Sequence, residues 1–168
     1  MKETEFNTKI LCLRDAMYRL ARSLLGDEYE AQDAVQDILE KMWRDRVKLG
    51  NYTNLKGFIL VSVRNNCLDR IRKRKVRRST DLDHSKQLSE KTPRNYDTED
   101  LVRIARKAME QLPEKQRSAI HLRDIEGLEL EEIAVIMDTD EGSVRSNLSR
   151  ARKKIRDEIN KVLEYGTK

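Results

Sequence analysis

LEEIAVIMDTDEGSVRSNLSRARKKIR, residues 130–156, predicts two helices joined by a tight turn through Gly142. In the second helix the apolar residues recur at spacings of three or four, so they share one buried face. These residues are Val144, Leu148, Ala151, Ile155 and Ile159. Arginine, lysine and serine occupy the neighbouring stripes. The pattern is typical of a helix-turn-helix whose second helix enters the major groove of DNA.

Apolar spacing predicts helices in the rest of the chain as well. The first half, residues 1–78, holds a helix over 5–25, a second over 28–47 and a third that begins after an N-cap at Asn54. A loop over 49–53 connects the second and third helices, because Gly50 and Asn51 favour turns.

Residues 79–97 are rich in Ser, Thr, Asp and Lys and predict a flexible linker. Residues 98–168 add two helices before the helix-turn-helix, the second opened by Pro113. We therefore predict an all-α fold of two small helical domains, 1–78 and 98–168, joined by this linker.

Composition excludes several classes of protein. Charged residues make up 39% of the chain, with a net charge of +5, and no apolar run is long enough to span a membrane. The N-terminus does not resemble a signal peptide, so we expect a soluble cytoplasmic protein. Cys12 and Cys67 are predicted to be buried reduced thiols, and His84 and His121 have no ligand cluster nearby. No metal and no cofactor is predicted.

Basic residues concentrate in two patches, one over 64–78 and one over 145–156. Two separate cationic patches fit two contacts along one polyanion, although solvated helix faces would also be rich in charge. The predicted second helix carries Asp33, Asp37 and Glu40 on one stripe beside Trp43. A solvated face, a cation site or a docking surface would each account for the stripe, and Trp43 is either an anchor or core filling.

Three segments together resemble a known family. The run LPEKQRSAIHLRDIEGLELEEIAVIMDTDEGSVRSNLSRARKKIR, residues 112–156, resembles the C-terminal promoter-recognition domain of bacterial sigma factors. DAVQDILEKMW, residues 33–43, resembles their core-polymerase-binding helix, and LKGFILVSVRNNCLDRIRKR, residues 55–74, their −10 recognition helix. The resemblance is strongest to the short extracytoplasmic-function sigma factors, group four.

The resemblance implies partners and site residues. The partners are the bacterial RNA polymerase core, through the coiled coil of its largest subunit and its flap, then promoter DNA and an anti-sigma factor. Core binding falls on Asp33, Val35, Gln36, Asp37, Glu40 and Trp43. Contact with −10 DNA falls on Tyr52, Arg64, Asn65, Asp69, Arg70, Arg72 and Lys73. Contact with −35 DNA falls on Arg145, Ser146, Asn147, Ser149, Arg150, Arg152, Lys153 and Lys154.

The −35 reading helix departs from the family pattern at two pairs of residues. Asp140 and Glu141 stand where the family frequently has Pro and an apolar residue, and Asn147 and Ser149 replace larger residues. We therefore expect an unusual −35 sequence and a thin set of base contacts. A dimeric helix-turn-helix regulator that binds an operator is the alternative function. An enzyme acting on nucleic acid would need a metal or nucleophile cluster, which the sequence does not display.

Overall fold

The computed structural model describes residues 1–50, 52–78 and 98–165, and every regular element in these ranges is a helix. The first half contains α1 (Glu3–Lys9), α2 (Arg14–Leu25), α3 (Glu28–Arg44), α4 (Arg46–Leu49) and α5 (Leu55–Arg78). The second half contains α6 (Thr98–Glu110), α7 (Glu114–Ile120), α8 (Leu130–Met137) and α9 (Glu141–Tyr165). The predicted all-α class with two helical domains is confirmed. The predicted linker, 79–97, lies outside the described residues.

Short polar side chains set where the helices begin, as their sequence positions predict. Asn54 Oδ1 accepts a hydrogen bond from the backbone N–H of Gly57 at 2.8 Å, and it caps α5. A Cβ at Gly57 would lie 2.8 Å from Asn54 Nδ2, so glycine leaves room for this cap. Gly26 ends α2 with a left-handed φ of 75°, and Asp27 then caps α3.

Three helix boundaries differ from the sequence prediction. The predicted first helix is interrupted at Ile10, where a 3₁₀ turn over Leu11–Leu13 separates α1 from α2. The predicted second helix breaks at Asp45, and α4 extends into the expected loop, where Leu49 is buried. The turn between α8 and α9 passes through Asp138, whose φ is 52°, rather than through Gly142. Short polar residues tolerate this left-handed conformation better than other non-glycine residues.

One apolar cluster joins the two halves. Met17, Leu20 and Ala21 of α2 are fully buried in it, and α2 packs against α3 and α5 of its own half and against α7 of the other half. Cys67 is also buried, and burial raises the pKa of its thiol to about 12. The expectation for Cys12 was wrong, because its side chain is exposed. Within the described ranges, no helix is long and apolar enough to cross a membrane.

Arginine contacts connect the halves around this cluster. Arg64 of α5 donates to Glu114 of α7 at 2.7 Å, and only 8% of the Arg64 side chain is exposed. Arg117 of α7 donates to the carbonyl oxygens of Ser23 and Leu24 at 3.2 Å each, near the C-terminal end of α2. These carbonyls lack helical partners, so a cation there also suits the dipole of α2.

A buried carboxylate forms a third connection. Glu126 follows the π-helical turn His121–Ile125, and its two oxygens accept from Arg19 of α2 at 2.8 and 2.9 Å. His121 Nε2 lies 3.4 Å from the same carboxylate, which makes it the weaker contact by distance. Burial raises the pKa of Glu126, but its contacts with His121 and Arg19 outweigh this and lower it to about 2.

We expect Glu126→Gln to destabilise the protein at pH 7 by about 1–2 kcal/mol. The folded pKa of about 2 lies below the ordinary value of 4.5, so this stabilisation is present above pH 4.5 and is lost as pH falls toward 2. Urea unfolding from pH 7 to pH 2.5 should therefore give a shallower pH dependence for the variant. Glu131→Gln, on the exposed surface of α8, is the control and should follow the wild type.

Candidate functional site

Helix α9 is fixed to its own half by one face. Val144, Leu148 and Ala151 are buried, which confirms the first three residues of the predicted apolar stripe, whereas Ile155 and Ile159 are only half-buried. At the start of α9, Asp140 accepts from the backbone N–H of Ser143 at 2.8 Å and from its hydroxyl at 2.7 Å. The bond from the Ser143 side chain, then that from its backbone, lowers the pKa of Asp140. A Cβ at Gly142 would lie 2.9 Å from Asp140 Oδ1, so this glycine leaves room for the cap.

The opposite face of α9 carries the residues expected to contact −35 DNA. Seven of the eight are exposed: Arg145, Ser146, Ser149, Arg150, Arg152, Lys153 and Lys154. Asn147 differs, since it is half-buried and its amide donates to the carbonyl oxygen of Ser143 at 2.8 Å. That bond removes one amide donor from base reading.

Two of these arginines are paired with acidic residues that sequence reasoning did not connect to them. Arg145 donates to Glu141 at 2.7 Å, one helical turn earlier. Arg152 makes two hydrogen bonds to Asp124, at 2.5 and 3.1 Å, from a different element of the same half. The spacing of four residues is a sequence signal for the first pair, whereas only the fold brings Asp124 to α9.

Two of the seven residues expected to contact −10 DNA line a cavity of about 290 Å³ between α3 and α5. Asn65 and Asp69 line it with Phe58, whose ring lies 4.4 Å from that of exposed Tyr52. A cavity with amide and carboxylate groups on its wall and aromatic rings beside it suits a nucleobase, which offers polar edges and an apolar face.

The four cationic side chains of the −10 set differ in how they are buried and paired. Arg64 is buried against Glu114 and is closed to DNA in this arrangement. Arg70 donates to Asp37 at 2.5 Å and Arg72 to Asp69 at 2.9 Å. Lys73 is exposed and makes no ion pair among the described residues. Neighbouring acids therefore restrain most of this charge.

The exposed face of α3 carries the expected polymerase-binding set. Asp33, Gln36 and Glu40 are exposed, and Gln36 donates to Glu40 at 3.3 Å. Val35 points inward instead and is 4% exposed, so it supports the helix from the core. The described residues contain no group of three or more His, Cys, Asp or Glu side chains placed to hold a metal ion.

Trp43 packs on the core with one edge and is partly exposed at the other, so its role as an anchor for the polymerase stays a prediction. Its ring packs edge-on against buried Phe6, with centroids 5.0 Å apart, and the Arg46 guanidinium lies 4.4 Å from the ring centroid. The side chain nevertheless remains 38% exposed. Trp43 thus anchors α1 to α3 while it leaves an aromatic edge at the surface.

Comparisons with known proteins match both halves. The family model described as "Sigma-70 region 2" matches residues 10–77, and "Sigma-70, region 4" matches residues 103–155. The ECF RNA polymerase sigma factor SigE of Mycolicibacterium smegmatis is 31% identical over 88% of this chain, which spans only 58% of that relative's length. The RNA polymerase sigma factor SigV of Bacillus subtilis is 29% identical over 95% of this chain and 96% of its own.

A solved structure matches both halves at once. The sigma factor RpoE in its complex with the anti-sigma factor NepR, from Bartonella quintana, gives a TM-score of 0.76 at 27% identity. The match covers 94% of this chain and 98% of that one. The two regions, in this order and on this fold, define a transcription initiation factor. The chain belongs to the sigma-70 family of bacterial RNA polymerase sigma factors, in its extracytoplasmic-function group, and the dimeric regulator is not favoured.

We expect Asp124→Asn to release Arg152 for contact with DNA phosphate. The salt slope of duplex binding should then steepen by about one unit, because one more cation neutralises a phosphate. Fluorescence anisotropy with a labelled duplex at salt concentrations between about 50 and 200 mM measures the slope. At about 100 mM the Debye length is about 10 Å, so a charge released at the DNA surface is still felt by a phosphate in contact with it.

Asp157→Asn is the matched control for this experiment. It removes the same charge from the groove beside Arg152 but breaks no ion pair among the described residues. Equal slopes in the two variants would contradict the account, since they would show a general charge effect rather than release of Arg152.

Proposed function

We propose that this protein binds the RNA polymerase core and directs it to promoters, with α9 reading −35 duplex and α5 contacting −10 DNA. The observation that carries the proposal is the pairing of two different DNA faces on one chain. One is an exposed cationic helix face, and the other is a basic helix beside a cavity of nucleobase size. An operator-binding regulator needs only the first of these.

In this proposal the first half of the chain, which carries the −10 set, binds an unpaired base and does not read an intact groove. The cavity beside Asn65 would hold one unstacked base of the non-template strand, and exposed Tyr52 lies against Phe58 of the cavity lining. A trapped base lowers the free energy of the open duplex, so the site aids promoter opening by binding alone. The protein would act without catalysing a reaction of its own.

The core polymerase would dock on the exposed face of α3, where Asp33 and Glu40 set the orientation through charge and Trp43 supplies an aromatic contact. Asp37 would connect this surface to the −10 half, since it already pairs with Arg70 of α5. Docking on α3 would thereby shift the position of a DNA-contacting arginine. The cytoplasm is the compartment where such a partner resides.

Simultaneous reading of both elements requires the halves to separate. Elements at −35 and −10 lie more than about two turns of duplex apart, and each turn spans about 35 Å. A compact chain of this length has a radius of gyration of only about 15 Å. Separation would also release Arg64 from Glu114 and return it to the −10 set.

An anti-sigma factor, such as the partner of the structural neighbour, would act by holding the halves together.

We expect Asp33→Arg to abolish binding to core polymerase, because it reverses a charge at the proposed docking face. The variant should keep its fold, since Asp33 is exposed and makes no ion pair among the described residues. This makes Asp33 a cleaner target than Asp37, whose loss would leave Arg70 without its carboxylate. Native gel shift with purified core, followed by run-off transcription on genomic fragments, measures both activities.

Two further variants serve as controls. Glu99→Arg reverses the same charge at an exposed residue of α6 and should leave core binding intact. Arg150→Ala should retain core binding but lose initiation at promoters that depend on the −35 element. If the wild-type protein neither binds core nor directs initiation from any fragment, the proposed function is wrong.

A further inference from the structure

The first turn of α9 holds two acids in different situations. Asp140 is occupied as a cap, because both of its oxygens accept hydrogen bonds from Ser143. Glu141 engages only Oε2, with Arg145, and its side chain is 43% exposed. Its other oxygen accepts no hydrogen bond from the described residues. Glu141 is therefore the carboxylate that this turn offers to a ligand.

The pairing with Arg145 makes that carboxylate compatible with DNA. An isolated carboxylate at the groove would be repelled by the phosphates, whereas the Glu141–Arg145 pair is neutral as a unit. Arg145 spends one of its five N–H donors on Glu141, so enough remain to bind a base in bidentate fashion. The pair adds little phosphate affinity but presents an acceptor and a fork of donors together.

The Glu141 carboxylate and the Arg145 guanidinium suit different base edges in the major groove. Cytosine presents an amine and no acceptor, so it suits a carboxylate, while guanine presents two acceptors that suit arginine. Adenine also has an amine, but its N7 acceptor faces the second carboxylate oxygen and is repelled. Residues four apart rise about 6 Å along a helix, which reaches from one base pair to a neighbour about 3.4 Å away.

We propose that Glu141 selects a cytosine in the −35 element and that Arg145 reads a guanine in a neighbouring base pair. This inference rests on the proposed function of α9 and names the sequence that it takes. The alternative is that Glu141 only complements the dipole of α9. A dipole role would change stability or affinity for every sequence alike, and it would not change the base chosen.

The test uses holoenzyme reconstituted with the full chain and a promoter library randomised over the −35 element. Sequencing of the transcribed templates should show cytosine preferred about tenfold at one position, next to a guanine. Glu141→Gln should move that preference from cytosine to adenine, because an amide pairs with the N6 and N7 edge of adenine. Glu141→Ala should leave the position without a preference.

Asp140→Asn is the matched control, since it removes the same charge while asparagine still caps the helix. It should keep the wild-type cytosine. Selection at the other −35 positions should persist in every variant, which shows that each one folds and binds. A cytosine preference that survives Glu141→Gln and Glu141→Ala would overturn the inference alone. A wild-type protein that selects no −35 sequence at all would overturn the proposed function of α9 as well.

Discussion

The burial of helix α2 is the constraint on which the rest of the structure depends. Met17, Leu20 and Ala21 are inaccessible to solvent, and the helix packs against α3 and α5 of its own half and against α7 of the other. Near its C-terminal end its carbonyls accept from Arg117 of the second half, and the carbonyl of Leu25 accepts from Arg74 of α5. One helix therefore contacts both halves, and any separation of the halves must uncover its surface.

The chain is basic overall, yet acidic side chains pair with four of the arginines that are proposed to contact DNA. Arg64, Arg70, Arg145 and Arg152 each hold a carboxylate before any DNA arrives. An arginine that must give up an internal partner contributes less to sequence-independent affinity. A larger share of the DNA affinity then comes from contacts that depend on the base sequence. This is expected of a protein that must choose among many DNA sites and that relies on polymerase for part of its affinity.

Local patterns in the sequence predicted those features that local physics decides. The stripe from Val144 to Ala151 follows from helical periodicity, and the cap at Asn54 follows from its short polar side chain before an apolar run. The turn was predicted at the wrong residue because Gly142 is the usual choice, whereas Asp138 takes the left-handed conformation and Gly142 makes room for a cap. The break at Ile10 could not be predicted in this way, because no glycine or proline lies near it.

The candidate sites divide in the same way. Exposure of the cationic face of α9 follows from its apolar stripe, and the spacing of Glu141 and Arg145 is visible in the chain. The contact of Arg64 with Glu114 joins residues 50 positions apart, and no periodicity predicts it. Such contacts depend on how the halves pack, which is why the buried state of a predicted DNA-binding arginine emerged only from the fold.

The dependence of initiation on promoter spacing tests the central claim most directly. Holoenzyme reconstituted with this chain would transcribe a series of promoters that differ only in the number of base pairs between the −35 and −10 elements. If α9 and α5 read the two elements together through one polymerase, initiation should peak sharply at one spacing and fall when a base pair is added or removed. Initiation that is insensitive to spacing, or that persists when either element is scrambled, would contradict the account.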